Sequence, residues 1–242
     1  MNTSIQPTIS SIEIIFEDDY IVVVNKPNNF IIHESHYARN IRETTLLDFL
    51  KQQLGFQVYP AHRLDRKTSG VILLLKKKEH VSQFQSLFTA NSIHKTYYAI
   101  VRGFSPKSGI IDSPVKNDDT DIYKTALTKY TTTYNIELDI PVHPYNSSRY
   151  SLIKLKPETG RMHQLRKHLN KISHPIVGDY KYGDRFHNRM FETELNCIYM
   201  FLHAYQLEFT HPITNEKLKL KANFPTDWKM LFHKFNWTNE IR

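Results

Sequence analysis

Segments with a β-strand pattern follow one another along this chain more often than they alternate with helices. Two β segments flank an acidic turn in "SIEIIFEDDYIVVVNKP", and "VILLL" is apolar on both faces, as in a buried central strand. Further strands are predicted in "HKTYYAIVRG", "YKTALTKYTTTYNIE", "YSLIKLKP" and a terminal hairpin of "IYMFLHAYQLEFTHP" and "EKLKLKANF". Runs of strands favour an α+β fold with a mixed, mostly antiparallel central sheet flanked by helices and loops.

Four segments have the apolar periodicity of amphipathic helices: "TTLLDFLKQQLG", "KEHVSQFQSLFTAN", "GRMHQLRKHLNKI", which is expected to begin near Arg161, and "PTDWKMLFHKF". The prolines and polar residues of "ELDIPVHPYNSSR" predict a loop. Neither a repeat nor a linker interrupts the pattern. We therefore expect a flexible segment over residues 1–11 and one domain over residues 12–242.

The charge balance of the chain favours a polyanionic partner. Its 242 residues include 32 Lys and Arg against 24 Asp and Glu, a formal net charge of +8. Cationic side chains gain affinity for phosphates by releasing counterions, although a soluble basic protein without such a partner has the same composition.

Features of the sequence also favour a cytoplasmic location. Cys197 is the single cysteine, which rules out an intrachain disulfide and fits a reducing cytosol. The sequence contains neither a secretory-signal pattern at its start nor an apolar run of the roughly 18 residues that a membrane span needs. We therefore expect a soluble protein with no membrane association.

One acid lies among cations in "AHRLDRKTSG", immediately before the apolar run "VILLL". Asp65 has Arg63 and Arg66 beside it, and nearby positive charge keeps a carboxylate ionised at neutral pH. Such a group is a poor general acid but a usable nucleophile, and the adjoining buried strand would hold it rigidly. A salt bridge in a surface loop is the alternative interpretation.

Two other features are candidates for a binding or catalytic site. In "TGRMHQLRKHL", Arg166 borders the apolar stripe of a helix, where its planar guanidinium could bind both oxygens of a buried carboxylate. A solvated helix face is the alternative. Tyr97 and Tyr98 project from opposite faces of one strand, so at most one of them faces a given site, either as packing or as a platform for a base.

The sequence does not favour a metal or a nucleotide cofactor. His163 and His168 are spaced i, i+5, which is not the i, i+4 spacing of a helical zinc pair. Neither HExxH, GxGxxG nor GxxxxGK[ST] occurs in the chain. We therefore predict that the protein uses no metal ion and no cofactor.

The segment "HRLDRKTSG" followed by "VILLLKK" resembles the HRLDxxTSG motif of the pseudouridine synthases of the RluA type. Further resemblances follow the family order: "NKPNNFIIH", "HKTYYAIVRG", "TGRMHQLRKHL", "SHPIVGDYKYG" and "LHAYQLEFTHP". Together these motifs extend from about Ile12 to Phe235. Two small departures are Leu165 and Met162, which stand where the family more often has Ile and Thr.

The resemblance implies a role for each matching residue in a single pseudouridine synthase catalytic domain. Asp65 would be the nucleophile that attacks the ribose or the base of the target uridine, and Arg166 would pair with it. Tyr97 would stack on the uracil and help to remove the C5 proton. Leu165 would pack against the base, and Arg63 would fill the space left by the flipped nucleotide.

Three more residues are expected to contribute to substrate binding, namely His62, Arg161 and Lys76. The implied reaction is an isomerisation, in which the glycosidic bond breaks, the uracil rotates and the ring is rejoined through C5. Neither a cofactor nor a metal ion takes part in such a reaction.

Within the family, the chain is most similar to the branch that modifies uridine 65 in the T-arm stem of tRNA. The supporting stretches are the loop around "IPVHPYNSSR", the following "RFHNR" and the closing "FNW". The S4-like RNA-binding module common in the family is not expected here. The expected partner is tRNA, and the expected working state is a monomer with no obligatory protein partner.

Three alternatives remain open at this point. The substrate could be ribosomal RNA, because the same catalytic core serves several RNAs. The protein could bind RNA without catalysis. A glycosidase-like hydrolase using Asp65 is a third reading, although that mechanism normally needs a second carboxylate, and none stands out in these motifs.

Overall fold

The computed structural model describes residues 9–33 and 44–237, and the chain divides into two compact units. The first unit contains the described residues up to His94 together with Ala204–Asn223. The second contains Lys95–His203 and the described residues from Phe224 onward. Residues 1–8 of the predicted flexible segment lie outside the described part of the chain.

The described residues form twelve strands and five α-helices. The strands are β1 (Ile14–Glu17), β2 (Ile21–Lys26), β3 (Tyr59–Pro60), β4 (Ser69–Leu75), β5 (His94–Arg102), β6 (Ser108–Asp112), β7 (Val115–Lys116), β8 (Tyr123–Lys124), β9 (Leu127–Leu138), β10 (Ser148–Pro157), β11 (Leu202–Thr210) and β12 (Lys217–Lys221). The helices are α1 (Leu46–Leu54), α2 (Val81–Thr89), α3 (Gln164–Lys171), α4 (Arg185–Leu195) and α5 (Thr226–Lys234). This content confirms the predicted α+β class.

The first unit is built around β4, all seven residues of which are buried. In the sheet, β1, β2, β4 and β11 follow in that order, while β3 also pairs with β4 and β12 pairs with β11. The β2–β4 pair is antiparallel and places Lys26 opposite Gly70. Side chains from β2, β4, α2, β11 and β12 form the apolar core of this unit. The prediction of "VILLL" as a central buried strand is confirmed.

The turn into β4 requires glycine at position 70. Gly70 has φ +112°, a conformation that side chains on an L-residue disfavour, and a Cβ placed there would lie 2.1 Å from the carbonyl oxygen of Ala204. The contact is with backbone, so it could be relieved only if one of the two strands moved. Gly70 therefore allows β4 and β11 to approach each other closely.

The second unit contains a sheet in the order β5, β10, β9, β6, with antiparallel register in each of its pairs. Strands β7 and β8 form a separate short hairpin, here called the β7–β8 hairpin (residues 115–124). Helix α3 packs Leu165 and Leu169 against the sheet, together with Tyr130, Ile153, Leu155, Ile176, Met200 and others. The apolar core of the unit thus places α3 directly on β5 and β10.

Three local predictions differ from the structure. Helix α3 begins at Gln164 and not near Arg161, because His163 takes a left-handed conformation with φ 56° and ψ 22° that cannot continue a helix. The segment "YKTALTKYTTTYNIE" forms two strands, β8 and β9, with a break at residues 125–126. Helix α4 was not predicted, although Asp184 caps it by accepting from the backbone N–H groups of Phe186 and His187.

In the described part of the chain, none of the helices has both the length and the apolar character that crossing a membrane would require.

Replacing Gly70 with Ala should lower the free energy of unfolding by on the order of 3 kcal/mol or more, because both the φ angle and the backbone contact become unfavourable. Gly55→Ala is a matched control, since Gly55 also has positive φ but has nothing within 4 Å of its Cβ position. The control should cost only about 1 kcal/mol. Urea denaturation of both variants measures the difference, and equal losses would contradict the close approach at Gly70.

Candidate active site

The turn that carries Asp65 is fixed to the start of β4. The side chain of Asp65 is half-buried, and its backbone carbonyl accepts a hydrogen bond of 3.0 Å from the N–H of Thr68. Thr68 and Ser69 are only 2% and 1% exposed. The residues after the acid are thus anchored in the first unit, and the Asp65 backbone has little freedom to move relative to β4.

A buried lysine holds the same turn from the other side. The Nζ of Lys26, at the end of β2, donates to three backbone carbonyls: those of Pro27 at 2.8 Å, Phe30 at 3.0 Å and Arg66 at 3.0 Å. An ammonium has three N–H donors, so these three acceptors match its ammonium form. Lys26 therefore ties the residue next to Asp65 to the loop after β2.

The pKa of Lys26 depends on its surroundings in this turn. Burial lowers the pKa to about 7, while the negative charge of Asp65 acts in the opposite direction and raises it. The two side chains are therefore electrostatically coupled within the first unit. The anchoring role of Lys26 was not predicted from the sequence, where "NKP" matched only a family motif; the available signal was a lysine two positions after four apolar strand residues.

The neighbours of Asp65 in the motif have different environments. His62 accepts a hydrogen bond of 3.1 Å at Nε2 from the N–H of Leu73, and its ring lies 4.5 Å from that of Phe88. Nε2 is thus an acceptor, which places the proton of a neutral ring on Nδ1. Arg63 is exposed to solvent. These contacts give His62 a structural role in the loop; its predicted contact with substrate stays a prediction.

Two other cations predicted to bind substrate make contacts within their own units. The Nζ of Lys76 lies 2.7 Å from Oε1 of Glu17 and 5.4 Å from the ring centroid of Phe56. Arg161 is exposed, and its Nε donates to the carbonyl of Thr125 at 3.1 Å. An exposed ion pair is worth at most about 1 kcal/mol, so a phosphate could compete for Lys76.

In the second unit, Tyr97 and Leu165 share one apolar cluster. Tyr97 lies on β5 opposite Leu155 and is half-buried against the core that contains Leu165, which is 6% exposed. Tyr98 is buried on the other face, with its ring 5.5 Å from that of Phe224. The expected division of the two tyrosines between opposite faces is confirmed.

Arg166 forms a buried bidentate ion pair with Asp179. Its Nε donates to Oδ2 and its Nη2 to Oδ1, both at 2.7 Å, and the side chains are 8% and 1% exposed. The guanidinium carbon also lies 4.9 Å from the ring centroid of Tyr182. A fork-to-fork pair that is stacked on an aromatic ring fixes the plane of the guanidinium as well as its position.

Asp179 is itself held by the turn that follows it. Its Oδ1 also accepts from the backbone N–H groups of Lys181 at 2.9 Å and Tyr182 at 3.1 Å, and its carbonyl accepts from Nδ2 of Asn188 at 3.1 Å. Burial by itself would raise the pKa of Asp179, but the hydrogen bonds and charge of Arg166 outweigh burial and lower it. Asp179 is therefore an ionised anchor for Arg166.

Sequence reasoning named Asp65 as the partner of Arg166 and missed Asp179. Two of the five N–H donors of the guanidinium serve Asp179, so these contacts are compatible with a further carboxylate. The pairing of Arg166 with Asp65 stays a prediction. The available signal for Asp179 was a single acid after the apolar "PIVG" of "SHPIVGDYKYG".

Across residues 9–33 and 44–237, no group of three or more His, Cys, Asp or Glu side chains is arranged to hold a metal ion.

The α+β fold, the net charge of +8 and the candidate side chains are compatible with a protein that acts on a nucleic acid. Residues 20–171 match the model of the family described as RNA pseudouridylate synthase. The chain belongs to this family of RNA pseudouridine synthases, which are isomerases. The resemblance expected from the sequence motifs is confirmed.

Two relatives with high similarity are named tRNA pseudouridine synthase C. The one from Vibrio parahaemolyticus serotype O3:K6 (strain RIMD 2210633) is 37% identical over 95% of this chain and 97% of its own length. The one from Haemophilus influenzae (strain ATCC 51907 / DSM 11121 / KW20 / Rd) is 36% identical over 94% and 99%. Among solved structures, Human RNA Pseudouridylate Synthase Domain Containing 4 superposes with a TM-score of 0.70 and 26% identity, covering 93% of each chain.

Replacing Asp179 with Asn should lower the free energy of unfolding by about 3 to 5 kcal/mol, the usual cost of breaking a buried ion pair. The Asn oxygen can replace one carboxylate oxygen, but its NH₂ group then faces an N–H of Arg166. Asp184→Asn is the matched control, because Asp184 pairs with Arg102 at 2.6 Å at a more exposed position. The control should cost about 1 kcal/mol, and urea denaturation at pH 7 compares the two.

The pH dependence gives a second readout for Asp179. A carboxylate with a lowered pKa stabilises the folded state fully above its ordinary value near 4, and this contribution is lost as the pH falls through the lowered value. The loss of stability of the wild type below about pH 4 should therefore be smaller in Asp179→Asn. An unchanged acid dependence in this variant would contradict an ionised Asp179.

Proposed function

We propose that this protein isomerises uridine 65 to pseudouridine in the T-arm stem of tRNA, with Asp65 as the nucleophile. The observation that carries the proposal is the similarity of about 37% identity over nearly the full length of a relative named tRNA pseudouridine synthase C. A net charge of +8 supports an RNA substrate, because phosphate contacts dominate the affinity of such complexes.

Asp65 starts the proposed reaction by attacking the ribose or the base of the target nucleotide. The bond between N1 and the ribose breaks, the uracil rotates, a bond forms from C5 to the same ribose carbon, and the covalent bond to the Asp65 carboxylate breaks. C5 then loses its proton and N1 gains one, so the atoms balance without a cofactor. The anchoring of the Asp65 turn by Lys26 and the Thr68 N–H supports this role, because covalent catalysis depends on a nucleophile held in a fixed position.

Arg166 and Tyr97 assist in this proposal. Arg166, held in a fixed plane by Asp179, pairs with the catalytic carboxylate and orients it. Tyr97 stacks on the uracil and takes part in removal of the C5 proton, while Leu165 packs against the base. Both residues belong to the apolar cluster of the second unit, which suits them to bind a flat base.

The remaining residues bind the RNA. A paired base must leave its stack before reaction, which costs a few kcal/mol. Arg63 is solvent-exposed and fills the space left by the flipped nucleotide in this proposal. Arg161, His62 and Lys76 contribute substrate contacts. The proposed site of action is the cytoplasm, and the proposed working state is a monomer.

Asp65→Asn should reduce tritium release from tRNA carrying [5-³H]uridine by roughly 10³-fold or more, because the amide cannot act as the nucleophile. RNA affinity should change little, because the Thr68 N–H bonds to the backbone carbonyl of residue 65, which the substitution leaves in place. Asp19→Asn is the matched control, because Asp19 is an exposed acid of the same unit and its substitution changes the net charge equally.

The control variant should release tritium at the wild-type rate. Tritium release by Asp65→Asn within tenfold of the control would contradict the role of Asp65 as the nucleophile. If the wild type binds tRNA but releases tritium from none of the RNAs offered, the result would instead support the hypothesis that the protein binds RNA without catalysis.

Deletion of the gene should remove one pseudouridine from the T-arm stem of tRNA and leave ribosomal RNA unchanged. Pseudouridine mapping in total RNA of the deletion strain, with a complemented strain as the control, measures both. Loss of the modification only from ribosomal RNA would overturn the tRNA assignment and leave the family chemistry intact.

A further inference from the structure

Three donor side chains of the second unit converge on the carboxylate of Asp118. Lys167 Nζ donates to Oδ1 at 2.5 Å, and Lys181 Nζ and Tyr182 Oη donate to Oδ2 at 2.6 and 2.8 Å. We call Lys167, Lys181 and Tyr182 the donor cluster. The Asp118 side chain is 30% exposed, so the site that it occupies is accessible from solvent.

The donor cluster is built on the buried ion pair of the candidate active site. The backbone N–H of Tyr182 donates to Asp179, and its ring stacks on Arg166. Its hydroxyl lies 3.0 Å from Nδ1 of His163. Lys167 follows Arg166 in α3, and its side chain is only 16% exposed. Lys167 and Tyr182 are therefore held by contacts other than those with Asp118, whereas the Lys181 side chain is 53% exposed.

Asp118 itself lies on the β7–β8 hairpin, between its two strands. Those strands contribute two residues each, and Asp118, Asp119 and Asp121 are exposed. Lys167 also donates to the carbonyl of Lys116 at 2.6 Å, which brings the base of the hairpin to α3. An exposed connection of this kind needs little energy to rearrange, because few buried contacts restrain it.

The chemistry of the donor cluster suits a phosphate as well as a carboxylate. Two ammonium groups and a hydroxyl within 2.5–2.8 Å of one anionic group form charge-assisted hydrogen bonds. The hydrogen bonds from Lys167 and Lys181 hold the pKa of Asp118 well below its ordinary value, so the carboxylate is an anion at neutral pH. An RNA phosphodiester has the same single negative charge and likewise presents two anionic acceptor oxygens.

Neighbouring features of the hairpin fit an RNA strand. A groove of about 160 Å³ is lined by Lys116, Lys124 and Arg161 among others, and no acid is among its lining residues. Next to Lys124, the side chains of Ile122 and Tyr123 are 57% and 67% exposed. Cations that follow a backbone beside an exposed aromatic ring are typical of surfaces that bind nucleic-acid strands.

We propose that the donor cluster binds a backbone phosphate of the RNA substrate, and that Asp118 competes with this phosphate for the same donors. This inference rests on the proposed function only in taking RNA as the substrate. Through this competition, Asp118 discriminates between RNAs. An RNA that cannot place a phosphate between the two lysines does not displace the Asp118 carboxylate. Every RNA that binds must supply the free energy of breaking the Asp118 contacts. Only an RNA of the correct shape offsets this free energy, by forming the phosphate contacts.

The proposal gives opposite signs for two substitutions that break the same ion pair. Asp118→Asn removes the competitor and should tighten RNA binding about two- to fivefold, the range that an exposed ion pair corresponds to. Lys181→Gln removes a phosphate ligand and should weaken binding several-fold, with a salt slope smaller by about one. A purely structural ion pair predicts the same sign for both variants.

Fluorescence anisotropy with a tRNA transcript, at several salt concentrations, measures both effects. Each substitution is made in the Asp65→Asn background, so that binding is observed without turnover. Glu137→Gln is the matched control, because Glu137 is another exposed acid of this unit with an arginine partner, Arg149, at 3.2 Å. It raises the net charge by the same amount as Asp118→Asn and should change affinity less than twofold.

Tighter binding by Asp118→Asn than by Glu137→Gln, together with weaker binding by Lys181→Gln, supports the competition. Weaker or unchanged binding by Asp118→Asn relative to that control overturns it. Tritium release by the variants with an intact Asp65 separates the two hypotheses: absence of release in every variant rejects the proposed reaction, while the binding result still decides the phosphate site. Melting temperatures confirm that each variant is folded.

Discussion

The buried ion pair between Arg166 and Asp179 is the interaction on which most of the second unit's functional surface depends. It fixes the guanidinium plane, supports the ring of Tyr182 and closes the turn that carries Lys181. Its two charges are almost fully withdrawn from water, and the backbone N–H groups of Lys181 and Tyr182 stabilise the carboxylate further by donating to Oδ1 of Asp179. The same contacts position the donor cluster around Asp118.

In the first unit, the buried side chain of Lys26 has a comparable role. Lys26 binds three carbonyls, and one of them belongs to the residue next to Asp65. The backbone next to this acid is thereby restrained, while the side chain of Asp65 stays half-buried. In each unit, hydrogen bonds of a buried ionisable side chain, Lys26 or Asp179, restrain a residue proposed to act in catalysis or its neighbour in the turn.

Much of the fold and part of the site could be predicted from local pattern. Strand β4, helix α1 and the opposite orientations of Tyr97 and Tyr98 follow from residue periodicity, which is a short-range property. Helix α4 was missed because its amphipathic pattern is interrupted by polar residues that make tertiary hydrogen bonds, such as Asn188 to Asp179. Asp179 and Lys26 were missed as anchors for a related reason: a partner distant in sequence, or a set of backbone carbonyls, has no sequence pattern. The break between β8 and β9 was missed for the same reason, because it depends on tertiary contacts and not on a local sequence pattern.

Product analysis tests the central claim of isomerisation most directly. Purified protein is incubated with an unmodified tRNA transcript, and the RNA is then digested to nucleosides and separated by chromatography with mass detection. One uridine per tRNA should be replaced by pseudouridine, at unchanged total mass and without free uracil. Release of free uracil would instead identify a hydrolase, and an unaltered nucleoside profile would contradict catalysis on this RNA.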